Sequence, residues 1–225
     1  MRVEIPGPRI DSTIGAALFD FDETIIDLEA QHTAASEALC RDMHSDYDQL
    51  SDSIRFTSGR RIIDEIREMR AFFGWSASEE ELFELRQRHF MNICRTADLE
   101  LLPGVREVIA ALRERGIPLA ITTSAVREAI EAILERLALR DAFALIVDGS
   151  EVRRGKPDPE AYLLTARKLG VAPQECIVFE DSEVGVLAAK RAGMYCIAVR
   201  NPRAYMRQDL SAADVVADSM LSLLR

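Results

Sequence analysis

Ala16-Ala17-Leu18-Phe19-Asp20-Phe21-Asp22-Glu23-Thr24-Ile25-Ile26-Asp27 decides the fold of this chain. Apolar side chains fill nearly every position over 14–19 instead of alternating with polar ones. Such a run predicts a short strand buried on both faces, as in the middle of a parallel sheet. Asp20 then falls at the carboxyl end of the strand, where open parallel sheets place their ligands. If the backbone stays extended, Asp20 and Asp22 point the same way, because strand side chains repeat every two residues. Two like charges that close are unfavourable without a cation between them. The pair therefore reads either as a divalent-metal site with a carboxylate left for chemistry, or as a strand end closing in an Asx-type turn.

The rest of the composition narrows the choices. The 225 residues suit one large domain or a core carrying a modest insert. Apolar residues make up 48% of the chain, enough for a packed core, and no apolar run is long enough to span a membrane. Residues 1–8 include Arg2 but no apolar leader core, so no secretory signal is expected there. Cys40, Cys94, Cys176 and Cys196 are scattered without a CxxC pair. That disfavours zinc and fits buried thiols in a reducing, cytoplasmic setting. The net charge of −10 argues against nucleic acid or an anionic membrane as partner. An anionic substrate would need local positive charge, and the only lysines are Lys156, Lys168 and Lys190.

Downstream of the opening strand, 28–96 reads as wholly helical. The stretch 28–43 is rich in Ala and Glu. Over 60–73, Ile62, Ile66, Met69 and Phe73 form one apolar stripe that Gly74 ends. Ser78 and Glu81 make a capping box for a helix carrying Leu82, Leu85, Phe90 and Ile93. Beyond it, helices are expected over 105–115, 126–137, 159–169 and 184–192. Strands are expected over 119–123, 143–147, 176–179, 196–199 and 214–217, the last at an edge. Asp158-Pro159 opens the third of those helices as N-cap and first helical residue, and Gly170 stops it. Strand and helix alternate, which predicts right-handed crossovers and a parallel sheet covered on both faces. The expected fold is α/β: a Rossmann-like parallel sheet core (1–27 and 97–225) with an inserted all-α cap (28–96). An insert of that length with its own amphipathic helices suits a lid. It would hinge near Asp27 and across 97–103.

Polar residues sit at the other strand ends, and each has a bland explanation. Thr123-Ser124 follows the second core strand, and Ser124 alone suits a helix cap. Lys156 lies in the turn Arg154-Gly155-Lys156-Pro157-Asp158-Pro159, where a solvated cation is the simple alternative. Glu180-Asp181-Ser182 places two acids on a strand end that a helix cap would also explain. Parallel strands, however, bring their carboxyl ends to one edge. Asp20, Asp22, Glu180, Asp181, Thr123 and Lys156 would then line one cleft. Buried carboxylates need a cation or donors, and Mg2+ fits, since it takes oxygen ligands and tolerates waters and a substrate phosphate.

With these residues assembled, the chain resembles the haloacid dehalogenase superfamily over essentially its whole length. The phrases are Asp20-Phe21-Asp22-Glu23-Thr24, Thr123, Lys156-Pro157, and Glu180-Asp181-Ser182-x-x-Gly185-x-x-Ala188-Ala189-x-x-Ala192-Gly193-Met194, in the order of the family's motifs. The helical insert resembles the cap of the β-phosphoglucomutase-like and phosphoglycolate-phosphatase-like branch. The resemblance implies that Asp20 is the nucleophile forming an aspartyl-phosphate, and Asp22 the general acid and then base. It implies Mg2+ held by Asp20, Asp181 and the main-chain carbonyl of Asp22, with Glu180 helping directly or through water. Thr123 would hydrogen-bond the phosphoryl group, and Lys156 would offset its charge. Glu23 departs from the family's usual Gly, so the turn is bulkier and is expected to lean on the cap.

Two activities remain under this resemblance. One is a Mg2+-dependent phosphatase of a small phosphorylated metabolite, which is the expectation, with the protein a monomer or weak dimer. The other is a sugar-phosphate mutase. His32 stands where mutases of the branch carry a cap-hinge histidine, though an exposed helix residue is the plain alternative. The cap lysine those mutases use is missing, and its absence also excludes phosphonate cleavage. Gly59-Arg60-Arg61 matches the branch's substrate-reading loop, where an arginine grips a second phosphate or a carboxylate. Otherwise both arginines are solvated at a helix start. Together with Ser124 and His32 these are the candidate substrate contacts. Asp22 argues against a dehalogenase, whose first motif lacks it. A non-catalytic metal or phosphate sensor is weaker still, since receiver domains have no such lid.

Overall fold

Residues 14–55, 59–201 and 208–224 are described by a computed structural model. The expectation about residues 1–8 lies outside them. Six parallel strands form one sheet in the order β3-β2-β1-β4-β5-β6. They are β1 (Ala16–Phe19), β2 (Leu119–Thr122), β3 (Leu145–Val147), β4 (Cys176–Glu180), β5 (Tyr195–Val199) and β6 (Val215–Ala217). The order reverses direction at β1, which has β2 on one side and β4 on the other. That is the switch point where such sheets open a crevice at their carboxyl ends.

All four residues of β1 are fully buried. Alternate residues feed opposite faces, as the two-residue period requires. Ala17 and Phe19 join Ile121, Ile177, Phe179 and Ile197 on one side. There Phe19 and Phe179 stack with ring centroids 4.5 Å apart. Ala16 and Leu18 join Ala120, Val178 and Ala198 on the other. Small side chains there let α7 (Glu160–Leu169) and α8 (Glu183–Arg191) pack close through Tyr162, Ala166, Ala188 and Ala189. Truncating Phe19 to Ala would cost about 3–5 kcal/mol in such a core. The other face is covered by α5 (Val105–Glu114) and α6 (Arg127–Arg136), through residues including Val108, Leu112, Ile130 and Ile133.

Between β1 and α5 the elements among the described residues are all helical: α1 (Glu29–Asp42), α2 (Asp52–Arg55), α3 (Ile62–Phe73), α4 (Glu79–Thr96) and a short 3-10 turn at 47–49. Leu39, Tyr47, Leu50, Ile66, Met69, Trp75 and Leu82 form a separate apolar cluster within them. The Ser78–Glu81 capping box is made as expected, and Gly74 ends α3 in the left-handed conformation. The two chain passages joining these helices to the sheet lie side by side: Ile26 bridges Leu101, and Leu102 N–H donates to the Ile25 carbonyl at 2.9 Å. No helix among the described residues is long and apolar enough to cross a membrane.

Several element ends differ from the sequence reading by one or two residues, and three of them are instructive. The helix expected from 60 starts at Ile62, because Gly59 has φ +78° and Arg61 is still extended. The second core strand ends at Thr122, and Thr123 has turned to accept a hydrogen bond from Ala125 N–H. Phe143 precedes β3, directly after the 3-10 turn at 140–142. Pro159 does hold helical angles, with Asp158 Oδ1 accepting from Glu160 N–H.

Candidate active site

The register pairs Phe19 with Phe179, so β1 and β4 deliver Asp20 and Glu180 side by side. The Asp20 amide fixes this by donating to the Phe179 carbonyl at 3.0 Å. Lys156, on the turn before α7, reaches between the two acids. Its ammonium donates to Asp20 Oδ1 at 2.7 Å and to Glu180 Oε1 at 2.5 Å, and lies 5.2 Å from the centre of the Tyr162 ring. All three side chains are buried, so Lys156 is no solvated surface cation.

Glu180 is saturated. Its Oε1 also accepts from Tyr162 O–H at 2.7 Å. Its Oε2 accepts from Asp181 N–H, Ser182 N–H and Ser182 O–H at 3.0–3.1 Å. Ser182 Oγ in turn caps α8 by accepting from Gly185 N–H. The helix-cap role foreseen for this strand end thus belongs to Ser182 and coexists with the acidic cluster. Asp181 Oδ1 accepts from Thr24 O–H at 2.9 Å.

Asp20, Glu180 and Asp181 each offer an oxygen within 4.8 Å of the others. Burial pushes Asp20 up to about 7, with Lys156 opposing and Glu180 adding to the rise. Burial also raises Asp181 well above the ordinary carboxylate value, and the charges of Glu180 and Asp20 add to it. Burial works to raise Glu180 too, but Lys156 and the hydrogen bonds outweigh it and hold that carboxyl low. One ammonium faces three buried carboxylates, an imbalance that a hard divalent cation relieves. The oxygen-only donor set fits Mg2+.

The carboxylate of Asp22 is not part of this group. It faces α1, where His32 Nε2 lies 3.6 Å from Asp22 Oδ1. That oxygen is buried and accepts no hydrogen bond among the described residues. The two aspartates thus separate, Asp20 toward the acidic cluster and Asp22 toward the helices. His32 is half-buried rather than exposed, and stacks on Phe90 with centroids 4.3 Å apart.

The other sequence candidates are placed as follows. Thr123 is buried at the end of β2, and its Oγ1 accepts from Ala125 N–H at 3.1 Å, which leaves its own proton to donate. Ser124 does not cap the next helix; it donates to the Gly59 carbonyl at 2.9 Å. Gly59 sits so close to the sheet edge that an added Cβ would fall 2.5 Å from Ser182 Oγ. Arg60 binds Glu68 with both of its terminal nitrogens. Arg61 grips Asp64 at 2.9 and 3.1 Å and donates to the Arg153 carbonyl at 3.2 Å. Neither arginine is a solvated helix-start residue, and Arg61 ties the helices to the Lys156 turn. Glu23, at φ +61°, does lean on the helices: Oε1 accepts from Leu28 N–H at 3.0 Å, and Oε2 accepts from Asn201.

Thr24, Tyr162 and Arg86 escaped the sequence reading. Thr24 and Tyr162 carried no signal beyond a hydroxyl near an acidic motif and on a buried helix face. Arg86 did carry one, since it interrupts the buried stripe Leu82, Phe90, Cys94 at helical spacing.

Comparison with known proteins agrees with this geometry. The sequence pattern of the haloacid dehalogenase-like hydrolases matches residues 14–193. Hexitol phosphatase A of Escherichia coli (strain K12) is 34% identical over 204 residues, covering 90% of both chains. Beta-phosphoglucomutase of Bacillus subtilis (strain 168) is 30% identical over 217 residues, covering 93% of both. The crystal structure of CbbY from Rhodobacter sphaeroides in complex with phosphate superimposes with a TM-score of 0.82 at 26% identity, over 94% of this chain and 96% of that one. The chain belongs to the haloacid dehalogenase-like hydrolase family.

Proposed function

We propose that the protein is a Mg2+-dependent phosphatase of a small phosphorylated metabolite, such as a sugar phosphate, acting through an aspartyl-phosphate on Asp20. The observation that carries this reading is the Lys156 ammonium held between Asp20 and Glu180 beside Asp181. Lys156 fixes the rotation of the Asp20 carboxylate, which converts a weak nucleophile into a well-aimed one. An Asp20 oxygen attacks phosphorus, and the bond from phosphorus to the leaving oxygen breaks. Asp22 supplies the proton that oxygen takes up. Water then attacks the aspartyl-phosphate, gives its proton to Asp22, and restores the Asp20 carboxylate as phosphate departs. The uncommitted Asp22 Oδ1 suits this shuttle. Thr123 O–H and Lys156 bind phosphoryl oxygens.

Mg2+ would be held by Asp20, Asp181 and the Asp22 carbonyl, with saturated Glu180 acting through water. Bound there, it would neutralise charge on the phosphoryl oxygens. Residues 28–96 would serve as a lid that moves on the paired passages at 25–27 and 101–102. With Arg60 and Arg61 engaged by Glu68, Asp64 and Arg153, substrate selection would fall to a rearranged Gly59 loop or to other lid residues.

A sugar-phosphate mutase is the second reading, favoured by His32 beside Asp22. Product analysis decides between the two. Steady Mg2+-dependent release of free phosphate from sugar phosphates, abolished by Asp20→Asn, supports the phosphatase. Conversion of β-glucose 1-phosphate to the 6-phosphate, primed by a bisphosphate and with little phosphate released, supports the mutase. No turnover of any phosphate ester overturns both.

A further inference from the structure

We propose that Arg86 is a positioning residue that holds His32 as the tautomer presenting Nε2–H to the Asp22 carboxylate. Arg86 is almost completely buried, an uncommon place for a guanidinium. It stands on α4 behind His32, on the side away from Asp22. Its Nη2 lies 3.3 Å from His32 Nδ1 and donates to the His32 carbonyl at 3.3 Å. Its Nε donates to Ser36 Oγ at 3.0 Å. Ser36 O–H in turn donates to Glu65 Oε1 at 2.7 Å, and Glu65 Oε2 lies 3.6 Å from Arg86 Nη2. Arg86, Ser36 and Glu65 thus close a buried, charge-balanced ring.

A guanidinium has five donors and no acceptor. The imidazole nitrogen that faces it must therefore present a lone pair, so in the neutral ring the proton is on the other nitrogen. The protonated nitrogen of a histidine is set by the hydrogen bond its partner nitrogen makes. Here that places the proton on Nε2, which lies 3.6 Å from the unpartnered Asp22 Oδ1. The Phe90 ring fixes the imidazole plane. His32 N–H then orients the Asp22 carboxyl that, in the phosphatase reading on which this inference rests, shuttles the proton. Ser36 lies on α1 beyond His32, and Arg86 reaches both from α4, so the effect on Asp22 passes through His32.

The test combines histidine tautomer measurement by long-range proton–nitrogen NMR with kinetics. Spectra are taken at about pH 8.5, two units above the ordinary histidine value. Of the three histidines, the His32 signals are identified by their loss in His32→Gln. The wild type should show His32 with Nδ1 unprotonated. Arg86→Met/Glu65→Gln removes both charges together, because losing one partner of a buried pair is the costlier change. Should that variant fail to fold, Arg86→Gln/Glu65→Gln takes its place, since an amide in place of the guanidinium offers Nδ1 an acceptor as well as donors. Either variant should give a mixed or reversed tautomer and a kcat lowered about tenfold, with KM within about twofold. In a His32→Gln background the same change should lower kcat by less than about twofold. An Nδ1–H tautomer in the wild type overturns the proposal. So does an unaltered tautomer or kcat in the variant, or an equal loss without His32. If no phosphate ester is turned over, the phosphatase reading fails while the tautomer still decides the role of Arg86.

Discussion

Thr24 Oγ1 donates to Asp181 Oδ1 across 2.9 Å and ties the turn after β1 to the end of β4. It is the one hydrogen bond to the Asp181 carboxylate among the described residues, and that carboxylate otherwise faces the buried charges of Glu180 and Asp20. Thr24→Val keeps the shape and removes the donor. Asp181 then loses its orientation, and outer contacts of this kind are commonly worth ten- to a hundredfold in metal affinity. The Mg2+ concentration for half-maximal turnover should rise about tenfold, with kcat at saturating Mg2+ much less affected. Titration of activity with Mg2+ checks this; an unchanged requirement would remove Asp181 from the metal site.

Lys156 is a structural cation as well as a proposed catalytic one. Replacing it by Met leaves Asp20 and Glu180 buried without their shared counter-charge, a loss of about 3–5 kcal/mol by comparison with other broken buried pairs. Adding Asp20→Asn removes one of the stranded charges. Urea denaturation should therefore show Lys156→Met/Asp20→Asn to be more stable than Lys156→Met alone by more than about 1 kcal/mol. Additive losses would mean that the ammonium is not what neutralises Asp20.

The contrast between these two residues shows what could be read from the sequence. Asp20, Glu180 and Asp181 were legible because apolar runs end on them and a parallel sheet gathers those ends along one edge, and Lys156 because it is one of only three lysines and stands in a Gly- and Pro-bounded turn. The helical insert was legible from stripes such as Ile62, Ile66 and Met69 and from the Ser78–Glu81 box. Thr24 was not, since its partner lies 157 residues away and only the β1–β4 register makes them neighbours. Nor was the engagement of Arg60 by Glu68 and of Arg61 by Asp64 and Arg153. Spacing permits such pairs, but which rotamer wins depends on how the helices settle on the sheet. The Asp20–Asp22 pair misled in one respect, because β1 ends at Phe19 and the two carboxylates go to different neighbours, Lys156 and His32.

Gly185 reports on the rigidity of the Glu180 hub. A Cβ added there would fall 1.8 Å from Glu180 Oε1, an overlap that small adjustments cannot absorb. The carboxylate would have to leave, and with it the hydrogen bonds to Lys156, Tyr162 and Ser182. Gly185→Ala should cost at least about 2 kcal/mol, the range for overpacking a tight core, and lower kcat by at least about tenfold. Thermal unfolding and steady-state turnover check it. Near-wild-type values for both would show that Glu180 is free to move.

The buried thiols predict how stability declines in alkali. Cys40 lies among the helices and Cys176 at the start of β4, both nearly inaccessible. Burial pushes the Cys40 thiol up to about 12, with Glu65 contributing next, and burial pushes Cys176 up to about 11. The unfolded chain loses these protons near the ordinary value of about 8.5. Below that pH both states keep the proton, and the thiols' contribution to stability is fully present. Between about pH 9 and 12 the folded state binds more protons than the unfolded one, so stability falls as pH rises. Urea midpoints should decline steadily over that window, and Cys40→Ala and Cys176→Ala should each flatten the slope. The four free thiols should also resist a thiol reagent at about pH 8 until urea unfolds the chain, since only an exposed thiolate attacks. Rapid labelling at Cys40 or Cys176 of the native protein would show that the thiol reaches solvent by local opening, and that the slope reports that opening instead of burial.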